Sequence, residues 1–466
     1  MIKLGSRQSL LAQAQVKILS HLLRDYCTFE YLPLSSRGDV KKDSLPGLYT
    51  STLDEALQNS SIDIALHCLK DVPIERPFFL KEVFRIHRQF PQDIFLFNNH
   101  IMNNKIIVGT HSERRKAQLS KLKDFLPISL QSYSLESSYL SGNLQTRLEK
   151  LQKKEYSGII LSLEGLERFF NHGTDSQKKL LQNLQFMILP LKFFPTSPGQ
   201  GDLTVEALSD FKAPFPLKKN TQTDKERFIL QSLGGGCSSP IGITCLETKD
   251  YFLTYSFINS QYDFQYERKH PIPHQLLKQE AFLGMFSPEG IEYDIRTLFK
   301  NKTINIDKNT LAFITSRRAL QKCNFAIAAG LSTWKLLANQ DTWVYCCHEN
   351  LGEEHLIPFK QLNCLQYINP QWKNPWQVFS HKDSFSDLGY IEECYEKDFN
   401  DIPLSKNINF FYWTSYSQYK NYVHYYPWIK EKVHFCGLGK SYTQLSKENI
   451  EIYSLTGYEE YVTLLQ

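Results

Sequence analysis

The sequence has no hydrophobic run long enough to cross a membrane. A membrane-spanning helix needs about 18 to 20 successive apolar residues, and every apolar run here is shorter. The N-terminal segment is no exception, because Arg7, Gln8 and Lys17 interrupt the apolar core that a secretory signal needs. We therefore expect a soluble, cytoplasmic protein with no membrane partner.

An excess of one charge and a regular cysteine spacing are also absent. The 53 Lys and Arg residues nearly balance the 49 Asp and Glu residues, and a net charge of +4 does not indicate a nucleic-acid partner. None of the ten cysteines forms a CxxC pair, which argues against a disulfide framework and against a zinc site. We expect no metal, and the length of 466 residues predicts about three or four domains.

The first part of the chain alternates short apolar runs with helical patterns. Apolar residues recur at helical spacing from Leu11 to Leu22, and Thr52 followed by Glu55 predicts a capping box at the start of a second helix. Strands are predicted at Ile2–Leu4, Phe29–Leu34, Ile62–Leu66, Lys105–Thr110 and Gly158–Leu163. This alternation is typical of an α/β fold.

A different pattern begins after residue 220. A helix is predicted over residues 224–233, and the three glycines that begin at Gly234 are a signal for its end. A strand at Tyr251–Ile258 and a helix near Leu276–Phe286 indicate a small α+β domain, and the polar residues 301–309 indicate a linker.

The C-terminal region contains a weak internal repeat. In each copy, one strand leads into Thr-Ser and the next strand leads into Gly-x-Ser, and the copies lie roughly a hundred residues apart. The four predicted strands are Leu311–Ile314, Phe325–Ala328, Phe410–Trp413 and Val433–Cys436. The repeat predicts two similar α/β lobes.

Two strand-to-helix turns combine hydroxyl groups with arginines. The first includes Arg7 and Ser9; the second includes Thr110 and Ser112 and is followed by Arg114-Arg115. Backbone N–H groups and hydroxyls at a helix start attract anions, and a guanidinium binds a carboxylate through two donors. The alternatives are an ordinary helix cap with a solvated arginine, and a solvated basic helix face.

Two further segments contain reactive groups. Lys70-Asp71 follows a predicted buried strand, where α/β proteins place ligands, and Asp71 could act as an acid, a base or a stabiliser of a cation. Alternatively, Asp71 caps a turn before Pro73. Cys237 follows three glycines, which predict a loop. It could be either a reactive thiol or a structural cysteine. A cysteine hydrolase that uses Cys237 with His67 or His111 is a further alternative, but no Cys–His motif is readable.

Taken in order, the motifs of residues 1–300 resemble hydroxymethylbilane synthase (porphobilinogen deaminase). The segments that carry this resemblance are SRQS at 6–9, SRGD at 36–39, HCLKDVP at 67–73, VGTHSERRKAQL at 108–119, SGNLQTRLEKL at 141–151, EGLERF at 164–169, SPGQG at 197–201 and GGGCSSPIG at 234–242. The resemblance implies an α/β fold of two periplasmic-binding-protein-like lobes plus a small α+β domain that carries the cofactor.

By the same resemblance, the enzyme polymerises four porphobilinogen molecules, with loss of ammonia, into hydroxymethylbilane. Its cofactor is a dipyrromethane attached covalently at Cys237, and its catalytic residue is Asp71. Arg7 and Arg168 are implied to bind the substrate. The residues implied to bind the cofactor are Ser9, Lys70, Thr110, Ser112, Arg114, Arg115 and Arg147. We expect a monomer whose partner is porphobilinogen.

The chain departs from the family pattern at Pro46, Ser51 and Ser141, where relatives usually carry a cation. Such losses weaken the binding of carboxylates, so a degenerate carboxylate-binding protein of the same fold is the alternative function. The C-terminal region resembles uroporphyrinogen-III synthase, shortened by about one strand–helix–strand, and is expected to form two α/β lobes of its own.

The expected domains follow from both resemblances. They are a first lobe at 1–95 and 190–215, a second lobe at 96–189, a cofactor-bearing domain at 216–300, a linker at 301–309 and the uroporphyrinogen-III synthase-like region at 310–466.

Overall fold

The computed structural model describes most of the chain and divides it into two compact units. The described residues are 1–35, 50–217, 220–235, 240–273, 293–296, 306, 311–399 and 404–465. The first unit comprises Met1–Thr248, Phe252–Gln265 and Leu362–Pro370, and the second comprises Lys249–Tyr251, Tyr266–Gln361 and Gln371–Gln466. Among the described residues, no helix has the length and apolar character that a membrane crossing requires.

The strands and helices are numbered here in chain order. The strands are β1 Ile2–Arg7, β2 Phe29–Leu34, β3 Ile64–Cys68, β4 Leu80–Ile86, β5 Asp93–Phe97, β6 Lys105–Thr110, β7 Ser134–Tyr139, β8 Gly158–Ser162, β9 Gln185–Ile188, β10 Leu203–Leu208, β11 Gly242–Glu247, β12 Tyr251–Ile258, β13 Gln261–Arg268, β14 Tyr293–Arg296, β15 Ala312–Ile314, β16 Phe325–Ala328, β17 Trp343–Cys347, β18 Trp376–His381, β19 Gly389–Phe399, β20 Phe410–Trp413, β21 Val433–Gly437 and β22 Glu451–Leu455. The helices are α1 Leu10–Leu22, α2 Ser51–Gln58, α3 Glu113–Leu122, α4 Ile128–Gln131, α5 Leu144–Gln152, α6 Leu163–His172, α7 Asp175–Lys178, α8 Thr221–Ser232, α9 Leu331–Asn339, α10 Ile357–Lys360, α11 Asn363–Ile368, α12 Tyr416–Tyr425, α13 Lys440–Leu445 and α14 Tyr458–Leu465.

Two five-stranded sheets of the same topology form two lobes within the first unit. Their strand orders are β2-β1-β3-β10-β4 and β7-β6-β8-β5-β9. In each sheet, the fourth strand runs antiparallel to both of its neighbours and comes from a chain segment that crosses between the sheets, β10 in one and β5 in the other. The predicted α/β class with two lobes is therefore confirmed.

The exchange of strands moves one predicted domain boundary. The boundary at 95/96 falls inside β5, all of which pairs with the second sheet from Asp93 onward. The sequence did not reveal this, because β5 is an apolar run that would suit a buried position in either sheet. The boundaries at 215/216 and 300/301 remain predictions.

Helix α1 follows from its apolar spacing and its cap. Ala12, Val16 and Leu19 are buried, and the Ser9 hydroxyl accepts a hydrogen bond from the Ala12 N–H at 3.2 Å. The capping box predicted at Thr52 is wrong, since α2 begins at Ser51 after Thr50. Thr50 has helical backbone angles and its side chain makes no cap hydrogen bond, so this helix continues directly from a turn.

Helix α8 leads from the lobes towards the small sheet β11-β12-β13. It ends at Ser232, and Gly234 has a φ of +62°, a left-handed conformation that glycine adopts without strain. The predicted stop signal is therefore confirmed. The helix predicted near residues 276–286 lies outside the described residues, as does the linker at 301–309 except for Ile306.

The predicted C-terminal repeat corresponds to two sheets in the second unit, one mixed and one parallel. One sheet has the order β14-β19-β18-β15-β16-β17 and the other the order β20-β21-β22. In both, three consecutive strands lie side by side and parallel, β15 to β17 in one copy and β20 to β22 in the other. The shared topology agrees with the repeat, whereas the three extra strands β14, β18 and β19 belong to one sheet only.

One segment of the C-terminal region packs in the first unit. The backbone N–H groups of Asn363 and Cys364, at the start of α11, donate to the Glu167 carboxylate of α6 at 3.0 and 2.9 Å. The rings of Phe170 and Tyr367 lie 5.1 Å apart on the same pair of helices. The region 310–466 is therefore not self-contained, whereas the sequence had predicted that it forms two lobes of its own.

Candidate active site

A small pocket lies at the carboxyl ends of the parallel strands β1 and β3. It has a volume of about 50 Å³, and its lining includes Arg7, Ser9 and Asp71. The other lining residues are Ser6, Leu11, Ala12, Gln15, Thr50, Leu66, His67 and Cys68. Because parallel strands end at the same edge, two motifs far apart in sequence, SRQS and HCLKDVP, meet in one pocket.

The loop that carries Asp71 is a single 3₁₀ turn, Leu69–Asp71. Its first N–H, that of Leu69, donates to the Asp202 carbonyl at 2.9 Å. Gly199 lies against this turn with a φ of +77°, and a Cβ atom there would stand 2.9 Å from Leu69 Cγ. Residues 198–201 of the SPGQG segment form a turn, and its first glycine allows the crossing segment to approach the Asp71 loop closely.

Lys70 provides a cation beside Asp71. The Lys70 side chain is partly buried, and its ammonium makes no hydrogen bond within the part of the chain that the structure describes. Burial lowers the pKa of Lys70, the neighbouring Arg115 lowers it further, and Asp71 opposes the shift. A half-buried ammonium of this kind suits an anionic ligand.

The arginine pair of the second anion motif is buried around Asp93. Arg114 and Arg115 donate to the Asp93 carboxylate at 2.8 and 2.7 Å, and they are only 2% and 7% exposed. Burial alone would raise the pKa of Asp93, but the two guanidinium groups outweigh it and hold that pKa below its ordinary value. The alternative of a solvated basic helix face is therefore wrong.

Other N–H groups of these two arginines also donate to groups inside the protein. Arg114 donates to the Pro195 carbonyl at 3.0 Å and to Gln118 at 2.8 Å, and Arg115 donates to the Ile160 carbonyl at 3.0 Å. Arg115 thereby uses three of its five N–H donors, counting two bonds to Asp93. The pair holds the fold together at this point, and two N–H groups of Arg115 have no acceptor among the described residues.

The hydroxyls of the same turn serve the backbone. Thr110 accepts a hydrogen bond from the Ser112 N–H at 3.2 Å, and Ser112 caps α3 by accepting from the Arg115 N–H at 3.4 Å. Both residues thus fix the start of the helix that carries Arg114 and Arg115. Both hydroxyls accept hydrogen bonds from the backbone, and a role of these two residues in ligand binding remains a prediction.

The other three arginines differ in their surroundings. Arg7 is partly buried at the end of β1 and lines the pocket. Arg147 lies on α5, where its Nε donates to the Gly142 carbonyl at 2.8 Å. Arg168 is buried on α6 and forms an ion pair with Glu164 at 2.8 Å. Only Arg7 shares the pocket with Asp71.

His67 belongs to a buried charge cluster behind the pocket. Its Nε2 lies 3.4 Å from Glu206, and burial lowers its pKa although Glu206 opposes the shift. Glu206 and Asp54 have a geometry that could hold a metal ion together with His67. However, Arg76 donates to both carboxylates, each at 2.7 Å, so their oxygens already pair with its positive charge.

The role of α8 is not apparent from the sequence. Glu226 of this helix is fully buried, pairs with Arg88, and accepts the N–H groups of Gly199 and Cys245, each at 2.7 Å. Arg227, the next residue, donates to the backbone of the Asp71 loop. In the sequence, these residues have no signal beyond a polar helix pattern.

Cys237 lies outside the described residues. The chain on either side of it is described. It enters from the end of α8 at Gly235 and continues from Pro240 into β11. Helix α8 therefore contacts the Asp71 loop and ends a few residues before Cys237 in the sequence.

Comparison with known proteins agrees with the family named by the motifs. Residues 2–213 match a family model described as porphobilinogen deaminase, dipyromethane cofactor binding domain. A probable porphobilinogen deaminase from Methanosarcina barkeri is 32% identical over 257 residues, which span 51% of this chain and 75% of that protein.

Two further relatives show the same pattern of coverage. The porphobilinogen deaminase of Caldicellulosiruptor saccharolyticus is 27% identical over 56% of this chain and 89% of its own length. That of Desulfitobacterium hafniense is 32% identical over 52% of this chain and 79% of its own length. The likeness covers 79–89% of these two relatives and about half of the present chain.

Proposed function

From the premise that this chain belongs to the porphobilinogen deaminase family, we propose that it joins four porphobilinogen molecules, with loss of ammonia, into linear hydroxymethylbilane. The family consists of transferases of tetrapyrrole biosynthesis, and its substrate is porphobilinogen. The observation that carries the proposal is the shared pocket of Asp71 and Arg7, with the Lys70 ammonium beside Asp71. A monomeric state and the absence of a nucleic-acid partner remain predictions.

Asp71 is proposed as the catalytic residue. When ammonia leaves porphobilinogen, positive charge develops on the pyrrole, and a carboxylate held at the pocket stabilises it. The same carboxylate can accept the proton that the ring loses after the new carbon–carbon bond forms. Arg7 is placed to bind a carboxylate of the substrate in the same pocket, and Arg168 is proposed as a second substrate-binding residue.

The residues present fit the dipyrromethane cofactor of this family. Its two rings carry acetate and propionate groups, so its site must supply cations. Lys70 supplies a partly buried ammonium, and Arg115 retains donors beyond its contacts with Asp93. Ser9, Thr110, Ser112, Arg114 and Arg147 are proposed to complete this site. When bound, the cofactor supplies the pyrrole carbon to which the first substrate is joined.

Cys237 is proposed as the attachment point, because it follows three glycines in the sequence shortly after the end of α8. The purified chain is expected to exceed its sequence mass by two porphobilinogens less two ammonias and to colour with an aldehyde reagent for pyrroles. Mass spectrometry of the intact protein and of its peptides checks both the mass and the site.

Cys237→Ser is the matched control for that measurement, since serine keeps the size of the side chain but lacks the thiolate. It should have the unmodified mass and no turnover. Cys27→Ser, which alters a partly buried cysteine of the first lobe, should keep the adduct. An unmodified parent protein from cells supplied with porphobilinogen would contradict the attachment.

A degenerate carboxylate-binding protein is the weaker alternative. Binding alone requires neither Asp71 at the pocket nor a cysteine on a glycine loop, and both are present. The missing cation at Ser141 is partly offset, because Lys150 donates to the Ser141 carbonyl at 3.5 Å and so brings an ammonium to that turn.

A second function is proposed for the C-terminal region, that of a uroporphyrinogen-III synthase-like domain. It is favoured by a cavity of about 710 Å³ at the carboxyl ends of β15 and β16. The lining combines the hydroxyls of Thr315, Ser316 and Ser332 with Arg317 and Lys335. Such a lining suits a ligand with several carboxylates.

We expect weak or no uroporphyrinogen-III synthase activity from this region. Among the described residues, the sheet of one copy has three strands and the sheet of the other copy has six. The smaller sheet therefore offers fewer strand ends to form a site. The full chain is supplied with porphobilinogen, and the products are oxidised to porphyrins. Isomer I, the product of spontaneous ring closure, should predominate. A predominance of isomer III that disappears in Arg317→Ala would show a working synthase.

A further inference from the structure

Arg227 of α8 forms three hydrogen bonds with the backbone of the loop that carries Asp71. It donates to the carbonyl oxygens of Leu69 at 3.2 Å, Val72 at 3.0 Å and Pro73 at 2.9 Å. These carbonyls flank Asp71 on both sides, and they lie more than 150 residues from Arg227 in the sequence. One guanidinium therefore spans the entire turn.

Two backbone hydrogen bonds also fix the turn. The Leu69 N–H donates to Asp202, and the Val72 N–H closes the turn on the Leu69 carbonyl at 3.1 Å. Leu69 and Val72 are buried, so water cannot readily replace a lost donor at their carbonyls. Asp71 itself is partly exposed towards the pocket, and its direction therefore follows the backbone that Arg227 holds.

Helix α8 is fixed at several other points, which gives Arg227 a rigid base. Glu226 pairs with Arg88, and the Thr223 hydroxyl donates to Asp202 at 2.7 Å. Arg85 of β4 donates to the Thr223 hydroxyl at 3.1 Å without touching the Asp71 loop. A side chain on such a helix can set the position of a loop to within a fraction of an ångström.

We propose that Arg227 is a positioning residue that aims the Asp71 carboxylate at the substrate by holding the backbone on both sides of it. The inference rests on the proposed catalytic role of Asp71. It assigns no contact of Arg227 with the substrate, so its removal should affect the rate of the chemical step and not the binding of porphobilinogen.

The test compares Arg227→Ala with Arg85→Ala in the full-length holoenzyme. Both variants remove an arginine that bonds α8 to the first lobe, but only Arg227 reaches the Asp71 loop. In Arg227→Ala, kcat per holoenzyme should fall by about 10- to 100-fold while KM changes less than about threefold. Arg85→Ala should lose stability and keep its kcat within about twofold of the parent. Intact mass gives the holoenzyme fraction in each case.

Two further measurements separate positioning from a general loss of structure. Arg227→Lys retains a cationic donor but not the fork of the guanidinium, so it should have an intermediate kcat. This variant also keeps the test decisive if the alanine variant does not fold. Guanidinium ion at millimolar concentration should partly restore kcat in Arg227→Ala. Equal losses of kcat in Arg227→Lys and Arg85→Ala, or a normal kcat in Arg227→Ala, would overturn the inference.

The outcome also distinguishes this inference from the proposed function. If Asp71→Ala turns over normally, the role of Asp71 is wrong whatever Arg227 does. If Asp71→Ala is inactive and Arg227→Ala is unaffected, only the positioning role fails. If Arg227 acts through Asp71, the effects of Arg227→Ala and the partly active Asp71→Glu should not add.

Discussion

Replacing Asp71 by alanine is expected to lower kcat by about 10³-fold while the fold is kept. The carboxylate lies at a pocket at the end of β3, and the charge that develops on the substrate loses its counter-charge when the side chain is removed. Asp71 is partly exposed and forms no part of the buried core, so the change should cost little stability. Turnover is measured as bilane formation, and folding by thermal denaturation.

Two replacements refine this result. Asp71→Asn keeps the shape without the charge and should be nearly as inactive as the alanine variant, whereas Asp71→Glu should retain partial activity. The control is Asp63→Ala. The Asp63 carboxylate accepts a hydrogen bond from the Lys3 N–H at 2.7 Å and does not line the pocket. Near-normal turnover of Asp71→Ala would show that another group stabilises the cation.

Replacing Asp93 by alanine is expected to destabilise the protein by about 3–5 kcal/mol, because two buried arginines would lose their counter-charge. Asp93 is 1% exposed, and it also accepts a hydrogen bond from Gln200 at 2.9 Å. Removing it leaves Arg114 and Arg115 buried with an uncompensated charge. Chemical denaturation of the purified variant measures the change in the free energy of unfolding.

The pH dependence of this effect has a defined sign. The pKa of Asp93 is depressed in the folded state, so its stabilisation is fully present above the unfolded pKa of about 4 and is lost as the pH falls towards the folded value. The difference between parent and variant should therefore stay constant from pH 5 to 8 and shrink below about pH 4.

The half-exposed pair Lys105–Glu136, at 2.9 Å, provides the control for Asp93. Glu136→Ala should change the free energy of unfolding by no more than about 1 kcal/mol, since solvent screens an exposed ion pair. A destabilisation of Asp93→Ala as small as this would mean that water or rearranged side chains compensate the two arginines.

Local sequence signals determined most of the regular structure. The strands at Phe29–Leu34, Lys105–Thr110 and Tyr251–Ile258 have the predicted bounds, and the stop at Gly234 is where it was expected. These features depend on side-chain alternation and on the backbone freedom of glycine, which are properties of neighbouring residues. The pocket was also foreseeable in outline, because strands of a parallel sheet place their C-terminal loops together.

The tertiary structure alone decided which partner each charged group has. From the sequence, Arg114 and Arg115 could form a ligand site or a solvated face. In the structure they pair with Asp93 in the interior, because the strand that crosses between the lobes brings Asp93 beside them. Likewise, Arg227 acquires a function only because α8 packs beside the Asp71 loop. The physical reason is that the energy of a charge depends on its burial and on the groups within a few ångströms, and distant segments of the chain supply both.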